Sequence, residues 1–243
     1  MGPRLSRPAF YALAPGGWRD YVTLLHLPYT AWHLSYVAIG AALAPEPAGR
    51  RLLAALAAFF LALGIGAHAL DELNGRPLQT HISDRMLITL AAVSIGGAVA
   101  IGIAAALAWT PWLLLFVAVG GFLVLAYNLE LFGGFFHTDL WFGIAWGAFP
   151  LLTGYFVVAE KTSLVAVLGA VFALLTSLAQ RKLSTQVRKV RRRVDSVTGT
   201  LIMADGTQEE ITADTLIGSP EAALRLFAAG MVSLAAALLV LRF

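Results

Sequence analysis

Hydrophobic residues along the chain fall into seven long runs separated by short polar segments. Each run has about 20 predominantly apolar residues, enough for a helix to cross the hydrocarbon core of a bilayer. Backbone groups inside lipid must pair within their own segment, so these runs predict helices. The predicted helices cover residues 22–44, 52–73, 86–108, 112–131, 139–159, 162–180 and 221–241. We therefore expect an all-α membrane protein of about seven transmembrane helices.

The composition agrees with lipid as the surrounding solvent. Of the 243 residues, 59% are hydrophobic and 13% are charged, and the mean hydropathy is +0.78. A water-soluble domain of this size has no need of so much apolar surface. The chain has no cysteine, which excludes disulfides, iron–sulfur clusters and thiolate metal sites. The first 20 residues lack a short apolar core with a cleavage site, so we expect no cleaved signal peptide.

Lysine and arginine residues are unequally divided between the two sides of the predicted bundle. With a cytoplasmic N-terminus, the inner segments hold 13 basic residues, Arg4 among them, and the outer segments hold four. The positive-inside rule therefore predicts a cytoplasmic N-terminus. We expect an integral protein of a prokaryotic plasma membrane. The basic residues lie against the membrane without interleaved aromatic residues, so nucleic acid is not an expected partner.

The longest polar connection lies before the last predicted helix. Within it, residues 194–213 predict a β-hairpin with a type I′ turn, because an Asp-Gly pair at 205–206 separates two alternating segments. Residues 219–221, Ser-Pro-Glu, predict the first turn of the last helix. The basic run 188–193 either binds anionic lipid headgroups or only fixes the topology. The predicted organisation is helices one to six at 1–182, the basic segment with the hairpin at 183–218, and helix seven at 219–243.

Ionisable residues at the ends of the second and fourth predicted helices are the main chemical signal. Such a residue costs about 2.5–3.5 kcal/mol at the centre of a bilayer, so it is usually functional or paired. His68, Asp71 and Glu72 are spaced i, i+3 and i+4 and share one helical face. Further polar residues follow the fourth helix or lie on the first: Tyr127, Asn128, Glu130, His137, Asp139, His26 and His33.

Imidazole and carboxylate groups in this arrangement predict a divalent metal site. Oxygen ligands alone favour Mg²⁺, whereas histidine ligands favour zinc, manganese or iron. The alternative is that Asp71 and Glu72 pair with Arg76 or Arg85 while the histidines bond backbone carbonyls. For His26, which is expected near the surface, a solvated or structural role is expected. The candidate metal ligands are His33, His68, Asp71, Glu72, Glu130 and His137.

Several of these residues occur in the order of a known membrane-protein family. The pattern consists of residues 68–72 with Arg-Pro-Leu at 76–78 and Ile-Ser at 82–83, Tyr127 before Gly-Gly at 133–134, and Gly143, Gly147, Pro150 and Gly154. It resembles the UbiA superfamily of intramembrane aromatic prenyltransferases, which join an isoprenoid diphosphate to an acceptor inside a helical bundle. The resemblance covers roughly residues 22–185.

The resemblance implies a function for each of these residues. In the family, two acidic motifs hold Mg²⁺ ions that neutralise the diphosphate leaving group. Carried onto this chain, it implies the catalytic residues Asp71, Glu72, Tyr127 and Asn128, with aromatic rings sheltering a carbocation. It also implies that the diphosphate oxygens are bound by Arg76, Arg181, Lys182 and Arg188.

The chain also departs from the family pattern. Only Asp71 matches an aspartate of the first motif, and His68 stands where the leading aspartate is expected. Residues 177–188, where the second acidic motif belongs, contain no acid. The basic residues of that segment are candidates to replace it. The family usually has nine helices, two more than this chain predicts.

Three functions follow from these observations. The first is metal-dependent transfer, or related chemistry, of an isoprenoid diphosphate or lipid. The second is a transition-metal membrane enzyme that acts on a lipid or quinone-like substrate through the histidines. The third is a non-catalytic lipid-binding or assembly subunit.

Overall fold

The computed structural model describes residues 7–243, so Arg4, counted in the orientation argument, lies outside the described residues. The protein is 72% helical. Its elements are α1 (Trp18–Leu24), α2 (Leu27–Leu43), α3 (Gly49–Leu73), α4 (Asp84–Ala108), α5 (Leu113–Asn128), α6 (Asp139–Ala159), α7 (Leu164–Arg193), β1 (Thr200–Ile202), β2 (Gln208–Glu210) and α8 (Ala213–Arg242).

Five helices of residues 7–243 are long and apolar enough to cross a membrane: α3, α4, α6, α7 and α8. The helices α2 and α5 have 17 and 16 residues, fewer than the about 20 that usually span the hydrocarbon. The structure thus agrees with a helical integral membrane protein. It gives five candidate spans where the sequence predicts seven.

Glycines allow the central helices to touch along their backbones. A Cβ at Gly40 of α2 would collide with the carbonyl of Leu151 on α6, and one at Gly154 of α6 would collide with the backbone of α2. A Cβ at Gly147 would likewise strike the backbone of α7. Small residues at these positions thus let α6 approach both α2 and α7 closely.

Two helices contain π-helical segments, Phe60–Ala67 in α3 and Ile144–Ala148 in α6. Such segments often occur at functional sites, because the widened turn redirects side chains and backbone groups. His68 follows the first segment directly, and Trp146 lies in the second. Pro150 has no N–H, so the carbonyl of Trp146 has no helical donor four residues on.

The last helix begins earlier than the sequence predicts. It starts at Ala213, where Thr212 and Thr215 form a capping box, and Pro220 lies inside it. A proline inside a helix leaves the carbonyl four residues before it without a donor. Here Gln186 Nε2 donates to that carbonyl, of Leu216, at 2.9 Å. The predicted helix start at 219 is therefore wrong, because α7 supplies the bond that the proline removes.

The polar ends of α7 and α8 pack together beyond the candidate spans. Val187, Val190, Ile217 and Leu224 form a small buried core between them. Arg191 and Glu221 form a two-pronged ion pair beside this core. The two helices thus extend out of the apolar bundle as one packed unit.

The predicted hairpin connects α7 to α8. β1 and β2 pair antiparallel with Thr200 opposite Glu210. In the turn only Gly206 has a positive φ, 86°, and its N–H donates to the carbonyl of Met203 at 2.9 Å. A type I′ turn needs positive φ at both central residues. The hairpin is confirmed and its type I′ turn is wrong, because Asp205 keeps a negative φ.

Candidate functional site

A polar cavity of about 530 Å³ lies at the end of the bundle where α3, α5 and the start of α6 meet α7. It is lined by residues from α2, α3, α5, α6 and α7 and by the segment before α1. Nine of the predicted site residues line it: His33, His68, Asp71, Tyr127, Asn128, Glu130, His137, Arg181 and Arg188. The structure therefore brings these nine residues together in one cavity.

Glu72 does not line this cavity and is instead 1% exposed beneath the loop between α3 and α4. Its carboxylate accepts from the backbone N–H of Leu78 at 2.9 Å and of Thr80 at 2.8 Å, and from the Thr80 hydroxyl at 2.9 Å. These three bonds hold the Arg-Pro-Leu turn against the end of α3. The carboxylate is thus engaged by the loop, apart from Asp71.

Arg76 and Lys182 also lie outside the cavity lining. Arg76 donates to the carbonyl of Ile82 at 2.5 Å and pairs with Asp84, which fixes the start of α4. Lys182 is 77% exposed and donates to Asp139 at 3.0 Å. Both side chains therefore bind the protein outside the cavity, whereas Arg181 and Arg188 line it.

Three histidines are fixed by backbone carbonyls that the helices leave available. Nδ1 of His33 lies 2.8 Å from the carbonyl oxygen of Trp146. Nδ1 of His68 lies 3.1 Å from that of Gly64, and Nδ1 of His137 lies 2.9 Å from that of Tyr127. A carbonyl only accepts, so in each ring Nδ1 carries the proton. In the neutral rings Nε2 therefore has a free lone pair.

His26, for which the sequence indicated a structural role, also enters the cavity. It has a left-handed backbone with φ 46° just before α2, and its ring stacks on His68 with centroids 4.0 Å apart. The Tyr11 hydroxyl lies 3.1 Å from its Nδ1. His26 thus places a buried imidazole inside the cavity.

The cavity contains buried polar atoms without a hydrogen-bond partner. Across residues 7–243 they are His26 Nε2, the Tyr127 hydroxyl and Gln180 Oε1, and all three residues line this cavity. Gln180 is 2% exposed and Tyr127 5%. Buried polar groups are nearly always satisfied by protein, water or a ligand. Their concentration in one place makes this cavity the candidate binding site.

One wall of the cavity is cationic. Arg181, Arg188 and Arg192 project from α7 at spacings of seven and four residues, which places them on one helical face. Arg181 is held by Asp139 at 3.2 Å, and the Arg188 guanidinium donates to Thr185 Oγ1 at 3.2 Å. Lys189 and Arg193 add charge at the rim. This wall suits a ligand with several negative charges.

The acidic groups of the cavity are fewer. Asp71 lines it, and the hydrogen bonds among residues 7–243 do not include its carboxylate. Glu130 accepts from Asn74 at 3.3 Å and lies 4.0 Å from His137 Nδ1. In the described chain no group of three or more histidine or acidic side chains could hold a metal ion. The parallel stack of His26 on His68 also prevents both lone pairs from meeting one ion.

A second, apolar cavity of about 120 Å³ lies among α3, α4, α5 and α6. It is lined by Phe59, Trp109, Phe116 and Phe149 together with small aliphatic residues. Trp146 lines both cavities, so the two cavities are neighbours at this residue. A charged cavity and a hydrocarbon-lined cavity therefore lie side by side.

Sequence reasoning missed His26, Gln180 and Arg192 as cavity residues. Arg192 had a usable signal, because it lies four residues after Arg188 on the same helix face. Gln180 precedes Arg181 and is a polar residue at the end of an apolar run. His26 had no such signal in the sequence, since the direction of its side chain depends on the left-handed backbone conformation of this residue before α2.

No family model, curated protein or solved structure matches this chain.

Proposed function

We propose that this chain is a divergent UbiA-like protein that binds an isoprenoid diphosphate inside the membrane and transfers its isoprenoid group. One observation carries the proposal: a cavity with a cationic wall and unsatisfied polar atoms meets an apolar cavity at Trp146. An isoprenoid diphosphate has the same two parts, a multiply charged head and a hydrocarbon tail.

A seven-span bundle belongs to this proposal. Helices α2 and α5 are short, but a span of about 17 residues lies within the known range. Trp32 and Tyr36 of α2 are completely buried against other helices. Their polar atoms bond within the bundle, with the Trp32 indole donating to the Tyr36 hydroxyl at 2.5 Å and that hydroxyl 2.7 Å from Thr176 Oγ1. A central helix shielded in this way needs less hydrocarbon contact than a peripheral one.

The family resemblance also implies a divalent metal, and the residues present fit one Mg²⁺ ion. Mg²⁺ is usually bound by one or two carboxylates, waters and substrate phosphates, and not by a complete protein cage. Asp71 supplies a carboxylate that lines the same cavity as Arg181, Arg188 and Arg192. When bound, Mg²⁺ would neutralise charge on the diphosphate.

The residues of the chain have separate roles in the proposed transfer. Arg181 and Arg188 bind the diphosphate oxygens, and the rings of Tyr127 and Trp146, whose centroids lie 4.4 Å apart, face the carbon that bears developing positive charge. The bond from that carbon to oxygen breaks, and its electron pair leaves with the diphosphate. The acceptor atom supplies the pair for the new bond, and its proton passes to a free imidazole Nε2.

Equilibrium binding to the purified protein tests the proposal. We expect geranylgeranyl diphosphate to bind in the presence of Mg²⁺ at least about tenfold more tightly than geranylgeraniol, because charge-assisted hydrogen bonds contribute about 1.5–3 kcal/mol each. Arg188→Met should remove this preference. Lys182→Met, outside the cavity, is the matched control. Equal affinity for the two lipids would refute the proposal.

A second candidate is a transition-metal enzyme acting on a lipid or quinone-like substrate. The observation that favours it is the fixed Nδ1 protons of His33, His68 and His137, since metal-binding histidines commonly donate the other ring N–H to a backbone carbonyl. Stoichiometric zinc, manganese or iron in purified protein that is lost in His68→Ala would support it. Metal-free protein that binds the diphosphate would exclude it.

A further inference from the structure

The segment before α1 covers the polar cavity. Residues 7–12, here called the strap, contribute Pro8, Ala9, Phe10 and Tyr11 to its lining. Ala9 and Ala12 are buried and pack on Leu78 in the loop between α3 and α4. The strap therefore reaches from that loop across the cavity mouth to α7.

The far end of the strap is held by arginines. Arg192 Nε donates to the Pro8 carbonyl at 3.3 Å, and Arg191 Nη1 donates to the Arg7 carbonyl at 3.3 Å. The Arg225 guanidinium lies 4.9 Å from the centre of the Phe10 ring. These contacts of the arginines with the strap are long or weak. A phosphate oxygen would bind the same guanidinium groups more strongly than a backbone carbonyl does.

Two residues connect the strap to the binding site itself. Arg192 lines the cavity while it bonds Pro8, and Tyr11 bonds His26, whose Nε2 is one of the unsatisfied atoms. An anionic ligand in the cavity competes with the strap for Arg192. Closure of the strap and occupation of the cavity are therefore linked through the same guanidinium.

We infer that the strap is a ligand-responsive cover, which closes the empty cavity through Arg192 and is released when an anionic lipid headgroup takes that arginine. The inference rests on the proposed function, because it needs the diphosphate to bind beside Arg192. It adds a gate to the site and assigns Arg192 to the gate.

Thiol labelling tests whether the strap covers the cavity. The chain has no native cysteine, so only the introduced thiol reacts. The Ala9→Cys protein carries one thiol on the buried side of the strap, and Thr207→Cys carries one on the exposed hairpin as a reference. We expect a maleimide to label Cys at position 9 slowly in the empty protein. Geranylgeranyl diphosphate with Mg²⁺ should raise that rate about fivefold, the change expected for loss of one hydrogen bond, and leave position 207 unchanged.

A second pair of variants tests the gate without ligand. Arg192→Met in the Ala9→Cys protein should raise labelling about fivefold in the empty state and remove the response to ligand. Lys182→Met is the control, since Lys182 lies outside the cavity lining and its side chain donates to Asp139 and not to the strap. Ligand binding without faster labelling, or unchanged labelling in Arg192→Met, would overturn the cover. Absence of binding would overturn the proposed function instead, while the Arg192→Met result still decides whether that arginine holds the strap.

Discussion

The polar cavity and the loop between α3 and α4 lie side by side and use the same kinds of charged residue in opposite ways. In the loop, Glu72 accepts three hydrogen bonds and Arg76 pairs with Asp84. In the cavity, the Asp71 carboxylate accepts no hydrogen bond from residues 7–243, and the one side-chain bond of Arg188 within that part of the chain goes to Thr185 of its own helix. Charges satisfied by the protein stabilise its fold, whereas unsatisfied charges are available to a ligand. The following predictions test this contrast.

The largest difference should separate the two neighbouring acids. Glu72→Ala leaves the N–H groups of Leu78 and Thr80 without their charged acceptor, and we expect the free energy of unfolding to fall by about 3 kcal/mol or more. Asp71→Ala should change that free energy by less than about 1 kcal/mol but abolish Mg²⁺-dependent binding of geranylgeranyl diphosphate. Thermal unfolding in detergent and a binding titration measure the two effects. A large loss of stability in Asp71→Ala, or a loss of ligand binding without a loss of stability in Glu72→Ala, would contradict the distinction between the two regions.

Two arginines give the next contrast. Arg188→Met should weaken diphosphate binding about tenfold or more with little change in melting temperature, because its guanidinium serves the ligand. Arg76→Met should lower the melting temperature and leave the affinity of the remaining folded protein intact, because it fixes the start of α4. Isothermal titration of both variants separates these outcomes. An equal loss of affinity in both would contradict the separation.

Two glutamines on α7 should differ by a smaller amount. Gln186→Ala removes the donor to the Leu216 carbonyl, and we expect a loss of about 1 kcal/mol in the free energy of unfolding. Gln180→Leu should keep or increase stability without ligand, because the Oε1 atom of Gln180 is already unsatisfied. It should weaken ligand binding. Chemical unfolding of both variants, with and without ligand, measures the difference.

The smallest effect concerns the Asp205 carboxylate, which is exposed to solvent and accepts two hydrogen bonds from Thr207. The backbone N–H and the hydroxyl of Thr207 hold the pKa of Asp205 below its ordinary value. The hairpin therefore keeps this contribution above the ordinary aspartate pKa and loses it as the pH falls through the lowered pKa. Amide chemical shifts of Thr207 should titrate at lower pH than those beside an unpaired aspartate. Thr207→Val should move that titration upward, and an unchanged midpoint would contradict the assignment.

Spacing along helices predicted part of what the structure shows. The spacing of His68, Asp71 and Glu72 indicated polar groups at one helix end, and all three lie in the last turns of α3. The hairpin also followed from its turn residues.

The assignment of each charge could not be read from the sequence. The loop that engages Glu72 does so with backbone N–H groups, which every residue carries and no side-chain pattern reveals. The position of the His26 side chain in the cavity depends on the left-handed backbone conformation of His26 itself. The length of α8 depends on Gln186, 34 residues before Pro220 along the chain.

We propose that the polar cavity binds the diphosphate group of the ligand and that the isoprenoid tail passes Trp146 into the apolar cavity. An electron cryomicroscopy map of the protein with geranylgeranyl diphosphate and Mg²⁺ tests it most directly. We predict density for two phosphates between Asp71 and Arg188, continuous with tail density beside Trp146. Phosphate density elsewhere, with the cavity unchanged from the ligand-free protein, would contradict the account.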